Sequence, residues 1–488
     1  MIRYRSDFFP LKTMPIMIML SLVMIPLTTD IVFSESAEGD FDPMLTDGMS
    51  QPADVLVLDL KSAFRLALEH NSEIQRADLD VQSSRIGLDQ AERQYHPSLS
   101  LSGSTSARWS DPSVPGADSV THSANVRLGS NYTLFNGFTD SANRDAARIE
   151  LAGSEQSADR VAEGVLFQVI GRFLSAAAGI EQIQVQKENL YAQHELLSKI
   201  EAFYASGVRP IADVYQQQAE AASAEFRLLN VERDFELKKL ALLDQLGLSA
   251  GRSVQIDPVG LEKVLTYLEP LPDPEKTLAD AKTNRADYVA AKAVVDAAEF
   301  SIRAASGGFW PNVSLSMDAG STYSNAAKSS WTDQLVRDNP YAQVGLSVNL
   351  PLYDRYQTRN AVASADIRYR RALLALQDLE RKIEKEVLTA YLEYRTAQKQ
   401  LESAQAQIIF TERALENYEQ RYTVNAATLL EVVQARANHL IAMYEKIAAE
   451  YNLIEKAVAI IYYAGDMGRW CRTMQHSGEN PAAVEGEY

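Results

Sequence analysis

The chain runs through the same pattern twice, and that limits what it folds into more than any other feature. At a spacing of about 214 residues, Ala67, Ala77, Val81, Ala91, Pro97, Ser100, Leu101 and Ser102 return as Ala281, Ala291, Val295, Ala305, Pro311, Ser314, Leu315 and Ser316. At about 218 residues, Asn131, Leu134, Ala147, Ile149, Leu174, Leu197, Tyr204, Val214, Gln216 and Gly247 return as Asn349, Leu352, Ala365, Ile367, Leu392, Leu415, Tyr422, Val432, Gln434 and Gly465. Self-similarity at a fixed period marks one structural unit built more than once. A longer loop in the second half accounts for the change of spacing. The chain therefore reads as two internal structural repeats, 58–247 and 277–465, with a linker at 248–276 and a C-terminal tail at 466–488 that is short and mobile beyond Gly468.

Each unit reads helix, strand, loop, strand, long helix, tight turn, long helix. In the first helix, Leu60, Ala67, Ile74, Val81, Leu88 and Tyr95 stand seven apart. In the long helices the same spacing links Val169, Ala176, Ile183, Leu190, Leu197 and Tyr204, and again Val387, Tyr394, Leu401, Ile408, Leu415 and Tyr422. A strict seven-residue repeat supercoils helices left-handedly around partners. No proline interrupts 139–205, which leaves room for one helix of ~67 residues, about 100 Å long. The long helical hairpins are expected at 139–246 and 357–464.

The segments between the helices change to a period of two and predict β-hairpins at 97–135 and 311–353. Leu99, Leu101, Thr105, Ala107 and Trp109 alternate with Ser98, Ser100, Ser102, Ser104, Ser106 and Arg108. Ala124, Val126, Leu128, Tyr132 and Leu134 alternate with Asn125, Arg127, Asn131 and Thr133. In the second half Val313, Leu315 and Met317 oppose Asn312, Ser314, Ser316 and Asp318, and Val344 to Leu352 repeat the pattern. Strands of about ten residues with one apolar face suit a membrane barrel. The connections Ser110–Thr121 and Ser324–Pro340 are polar, as surface loops are.

At the N-terminus, Arg3, Arg5 and Lys12 precede an apolar run from Met14 to Leu27, with Val32 and Ser34 as small residues before a cleavage point. Residues 1–34 are therefore expected to be a signal peptide, and 35–57 a flexible leader. The formal net charge of −18, with 47 basic against 65 acidic residues, argues against broad nucleic-acid binding. A single cysteine, Cys471, excludes an intrachain disulfide and a multi-cysteine zinc site. The six histidines show no metal-ligand spacing, and there is no phosphate loop or nucleophile elbow. No catalytic residue, metal or cofactor is expected, so an enzyme is disfavoured.

Four strands do not close a membrane barrel, because open edges in lipid leave backbone groups unpaired. Two copies supply eight strands and three supply twelve. Soluble alternatives are an ordinary sheet on a core, or a periplasmic coiled-coil adaptor or structural protein without a pore.

The chain resembles the TolC-like outer-membrane efflux family over roughly 55–468. The resemblance rests on Tyr95-His96-Pro97-Ser98-Leu99 and Phe309-Trp310-Pro311-Asn312-Val313 before the first strand of each hairpin. It rests also on Leu134-Phe135-Asn136-Gly137 and Leu352-Tyr353-Asp354-Arg355 after the second strand. Further matches are Tyr204-Ala205-Ser206-Gly207 with Ala212-Asp213-Val214, and Tyr422 with Leu430-Glu431-Val432 and Gln434-Ala435. The resemblance implies an α+β membrane protein: a homotrimeric twelve-stranded β-barrel, four strands per chain, continuous with a long α-helical coiled-coil barrel. It also implies an outer-membrane exit duct with a periplasmic extension, docking to a periplasmic adaptor and an inner-membrane transporter of an efflux or type I secretion system. Pro97, Pro311 and Gly137 match the barrel–tunnel junction, and Gly207, Val208, Asn425 and Ala426 the helix turns where an adaptor docks. For the tip gate, Tyr422 and Asp213 match the family's tyrosine and aspartate, whereas its arginine falls on Ala427. Glu431 matches one carboxylate of an acidic ring, and Gln434 replaces the second.

Overall fold

The computed structural model describes residues 56–109, 120–258 and 273–476. The expected signal peptide, most of the leader, most of the first surface loop, the middle of the linker and residues 477–488 lie outside the described residues. Two 67-residue helices dominate: α3 (Thr139–Ala205) and α7 (Gln357–Thr423). Each turns back into a shorter helix, α4 (Ile211–Gln245) and α8 (Leu429–Ala464). α3 lies along both α4 and α8, and α7 lies along α8, so the order across the chain is α4, α3, α8, α7.

The single helix expected ahead of each hairpin is in fact two. In the first half these are α1 (Leu60–His70) and α2 (Ser72–Arg93); in the second, α5 (Pro274–Asn284) and α6 (Ala286–Ser306). Asn71 and Arg285 both take an extended conformation, ending one helix and capping the next. The Asn71 side chain accepts the Glu73 N–H at 2.8 Å and donates to the Gln245 carbonyl at 2.8 Å. The heptad pattern runs straight through this break, because a tertiary contact sets it.

The strands β2 (Ser98–Trp109), β3 (Val120–Asn136), β5 (Asn312–Ser324) and β6 (Tyr341–Asn349) form one antiparallel sheet in the order β2-β3-β5-β6. Apolar residues pair across it: Leu101 with Leu128, Tyr132 with Leu315, and Leu315 with Leu346. The opposite face carries a serine ladder, with Ser98, Ser100 and Ser102 donating to the carbonyls of Asn131, Gly129 and Arg127. Arg127 there pairs with Asp318 at 2.6 Å. The register shifts between Thr133 and Phe135, so Phe135 rather than Leu134 pairs with Val313. β6 stops at Asn349, short of the expected Leu352, and the second loop contains a helical stretch over 331–338.

The main core sits where the short helices cross the long ones. It gathers Leu58, Phe64, Phe173, Leu246, Ile383 and Ile461, with other side chains of α3, α7 and α8. Two expectations are corrected here. The end of the leader is a strand, β1 (Leu56–Leu58), paired in parallel with β4 (Val254–Ile256). The tail does not begin as a mobile segment: α9 (Met467–His476) buries Met467, Trp470 and Cys471, with Trp470 edge-on to Phe64 at 6.1 Å. Burial pushes the Cys471 thiol up to about 12.

All described residues with positive φ fall into pairs 218 positions apart: Gly137 with Arg355, Phe138 with Tyr356, Gly207 with Asn425, and Gly247 with Gly465. Gly247 and Gly465 end α4 and α8 against the breaks at Asn71 and Arg285. A Cβ on Gly247 would lie 2.3 Å from the His70 carbonyl oxygen, and one on Gly465 would lie 2.9 Å from the Arg285 nitrogen. Arg285 is 1% exposed and grips Asp287 through two hydrogen bonds and Glu386 through a third of 2.8 Å. Burial works against its charge, but the two carboxylates outweigh it and hold the guanidinium above its ordinary value.

Candidate functional site at the hairpin tips

The free ends of the two long hairpins meet at their turns. The first turn spans 206–210, and the second spans 424–428. Ile200, Val214, Ala427, Leu429, Val432 and the Tyr422 ring make a small apolar plug there. Tyr422 is 2% exposed, whereas its counterpart in the first half, Tyr204, is 46% exposed.

Tyr422 donates its hydroxyl to Asp213 Oδ2 at 3.2 Å, so the two residues singled out in the sequence do meet. A third residue, which the sequence reading missed, completes the contact. Arg209 donates to the Tyr422 backbone carbonyl at 2.6 Å, its guanidinium carbon lies 3.9 Å over the tyrosine ring, and it approaches Asp213 at 4.0 Å. Burial pushes the Tyr422 hydroxyl up to about 12; Arg209 opposes this, and the Asp213 charge and hydrogen bond add to it. Arg209 is the only basic residue in its turn and stands four before Asp213, the one signal that could have found it. Ala427, on which the family arginine falls, is buried in the plug.

Glu431 caps α8 together with Thr428: its carboxylate accepts the Thr428 N–H at 2.7 Å, and the Thr428 hydroxyl accepts the Glu431 N–H at 3.3 Å. The backbone bond, then the Thr428 hydroxyl, hold its carboxyl below the ordinary range. Gln434 is exposed and donates to Asn438. Gly207, Val208, Asn425 and Ala426 are all exposed on the turns.

At the other end, Pro97 and Pro311 immediately precede β2 and β5. Gly137 makes the corner from β3 into α3; a Cβ there would lie 2.3 Å from the Gly307 oxygen, so no other residue fits. Phe135 with Phe138, and Tyr353 with Tyr356, form matching edge-on aromatic pairs at the two corners, at 5.2 and 6.2 Å. α3 is long and apolar enough to cross a membrane by length and composition, but half of that apolar window is buried inside the chain.

This arrangement of sheet and helices is that of outer-membrane channels. The VceC outer membrane protein of Vibrio cholerae matches with a TM-score of 0.68 at 19% identity, over 83% of this chain and 96% of that one. The Neisseria gonorrhoeae MtrE channel in its open state matches with a TM-score of 0.69 at 19% identity, over 83% and 88%. The sequence model for outer membrane efflux proteins matches residues 63–248 and again 277–466, and the chain belongs to that family. Among curated relatives, the outer membrane efflux protein BepC of Brucella suis is 20% identical over 84% of this chain and 85% of its own length. Protein CyaE of Bordetella pertussis is 24% identical over 88% and 89%. The protein is an outer-membrane exit duct, from a family of channels rather than enzymes.

Proposed function

We propose that three copies of this chain close one twelve-stranded barrel in the outer membrane, continuous with a twelve-helix tunnel through the periplasm, each chain contributing two structural repeats. The sheet carries this reading: its edge strands β2 and β6 have no outer neighbour among the described residues, and its apolar face is bare, with Leu99, Leu101, Val344 and Leu346 between 64% and 75% exposed. In lipid each unpaired backbone group costs several kcal/mol, so the edges demand neighbours, while the apolar face suits lipid and the serine face a wet lumen. The aromatic pairs at Phe135–Phe138 and Tyr353–Tyr356 stand where an interfacial girdle belongs.

The outermost helices fit the same assembly. α4 exposes Tyr215, Phe226 and Leu237, and α7 exposes Ile367, Leu388 and Leu392. With the order α4, α3, α8, α7, the α7 of one copy meets the α4 of the next and the ring closes.

The Asp213–Tyr422 contact, reinforced by Arg209, holds one hairpin against the other and keeps the tunnel tip shut. A periplasmic adaptor engages the turns at Gly207, Val208, Asn425 and Ala426, and with its inner-membrane transporter it draws the hairpins apart. Three copies of Glu431, flanked by Gln434, favour cations at the mouth. Transport through the duct is passive. After high-salt and carbonate washes the protein should remain in the outer-membrane fraction and conduct ions in planar bilayers; release by salt, without conductance, would overturn the reading.

A further inference from the structure

Toward the barrel, α2 takes over from α4 as the neighbour of α3. Lower down, Gln186 on α3 donates to the Ala224 carbonyl of α4 at 3.1 Å; higher up, Arg85 on α2 pairs with Glu155 on α3 at 3.8 Å. The helix order at this upper level is α2, α3, α6, α7. The two outer helices leave apolar stripes uncovered. Leu79 and Ile86 stand seven apart on α2, and Ile367 and Leu374 seven apart on α7, all between 53% and 68% exposed. That spacing is the spacing of a coiled-coil seam.

The contact between the two repeats within one chain shows how such stripes meet. α3 and α6 run antiparallel: Thr139 donates to the Ala304 carbonyl at 3.1 Å, and a Cβ on Gly153 would lie 2.9 Å from that of Ala293. The repeat spacings of 218 and 214 carry α3 onto α7 and α6 onto α2, which sets Gln357 opposite Gln90 and Arg371 opposite Leu79. In that register Ile367 lies between Leu79 and Ile86, and Asp80 comes level with Arg368. Asp80 follows Leu79 by one position and Arg368 follows Ile367 by one, so both stand on the same flank of an antiparallel seam.

The charges agree with this register. Over 355–371, α7 carries five arginines against one aspartate, and Asp366 already holds Arg370 at 2.9 Å. Neither Arg368 nor Asp80 has an ion pair among the described residues, and both are exposed. The intrachain ion pair of Arg160 with Asp287, at 3.7 Å, is not repeated, because its equivalents are Asp378 and Glu73, and Asp378 is held by Arg381. Attraction across the seam therefore falls to Asp80 and Arg368. Charges flanking an apolar seam fix partner and register more than they add stability.

We propose that α7 of one copy packs antiparallel on α2 of the next, with Ile367 seated between Leu79 and Ile86, and that an Arg368–Asp80 ion pair sets the register of this seam. The proposal rests on the three-copy ring above.

The test uses the full-length protein in detergent. Asp80→Cys combined with Arg368→Cys should give, with a short bis-maleimide, a covalent trimer on a denaturing gel that neither single variant gives; the buried Cys471 is common to all three. Within one chain α3 and α6 stand between the two sites, so the link forms only between copies. Asp80→Arg and Arg368→Asp should each raise about fivefold the concentration at which the assembly dissociates in mass photometry, and together they should return it to near the wild-type value. A trimeric particle without the cross-link would overturn this seam and leave the three-copy reading standing. A particle monomeric throughout would overturn both. Cross-linking without recovery in the double reversal would overturn the ion pair.

Discussion

Arg209 lies with its guanidinium carbon 3.9 Å above the ring of Tyr422 and donates to the backbone carbonyl of that same residue at 2.6 Å. One side chain from the first hairpin therefore holds both the ring and the last turn of α7 in the second. The carbonyls ending a helix lack partners within it and carry partial negative charge, so a cation is favoured there twice over. Asp213, four residues on, accepts the tyrosine hydroxyl and balances the arginine.

Arg209→Ala removes a stacked cation and a charged hydrogen bond, together about 2–4 kcal/mol at a partly buried site. The account expects a larger open fraction in single-channel recordings, with Arg209→Lys intermediate because it keeps the charge but loses the planar stack. Wild-type conductance from a correctly assembled Arg209→Ala channel would remove the clasp from the mechanism.

The raised Tyr422 hydroxyl gives the clasp a pH dependence with a definite sign. In the folded state it ionises near 12, and in an unfolded chain near about 10. Its contribution is therefore complete below about pH 10 and is lost as the pH rises through 10 to 12. Conductance should climb across that window, and Tyr422→Phe, which has no hydroxyl to ionise, should flatten the climb. Parallel profiles for the two proteins would contradict this.

The left-handed glycines separate into two kinds. A Cβ on Gly207 meets nothing within 4 Å, so Gly207→Ala should cost about 1 kcal/mol of backbone strain. Gly247 adds the 2.3 Å clash with the His70 carbonyl, and Gly247→Ala should cost about 2–4 kcal/mol. Thermal melts of the two variants test the order; equal melting temperatures would mean that the close approach of α4 to the α1–α2 break is absent.

Neighbouring positions on β2 should respond oppositely to charge. Leu101 is on the apolar face and Ser102 on the serine face. Leu101→Arg should destabilise insertion into lipid vesicles by about 2–4 kcal/mol, and Ser102→Arg by little. Equal tolerance at both sites would mean that the apolar face does not meet lipid.

The seven-residue and two-residue periods made the long helices and the hairpins legible, because both reflect burial along a whole element. Features fixed by contacts between distant residues were not legible. The breaks at Asn71 and Arg285 depend on the ends of α4 and α8, so the heptads Ala67–Ile74 and Ala281–Tyr288 run through them unmarked. The inserted residue at Leu134 is set by pairing with β5, and the docking of α9 by the pocket that receives Trp470. Tyr422 and Asp213 are legible only through the family resemblance, and Arg209 is not legible even there. The family's arginine falls on Ala427, on the other turn, and a contact between residues 213 positions apart leaves no local pattern.

The central claim is that the four-stranded sheet is completed only by other copies of the same chain. Electron cryo-microscopy of the protein in nanodiscs tests it directly. The account predicts a threefold particle in which β6 of each copy pairs with β2 of the next to close twelve strands, with twelve helices below. A particle of two or four copies, or a monomer with its β2 and β6 edges free, would contradict it.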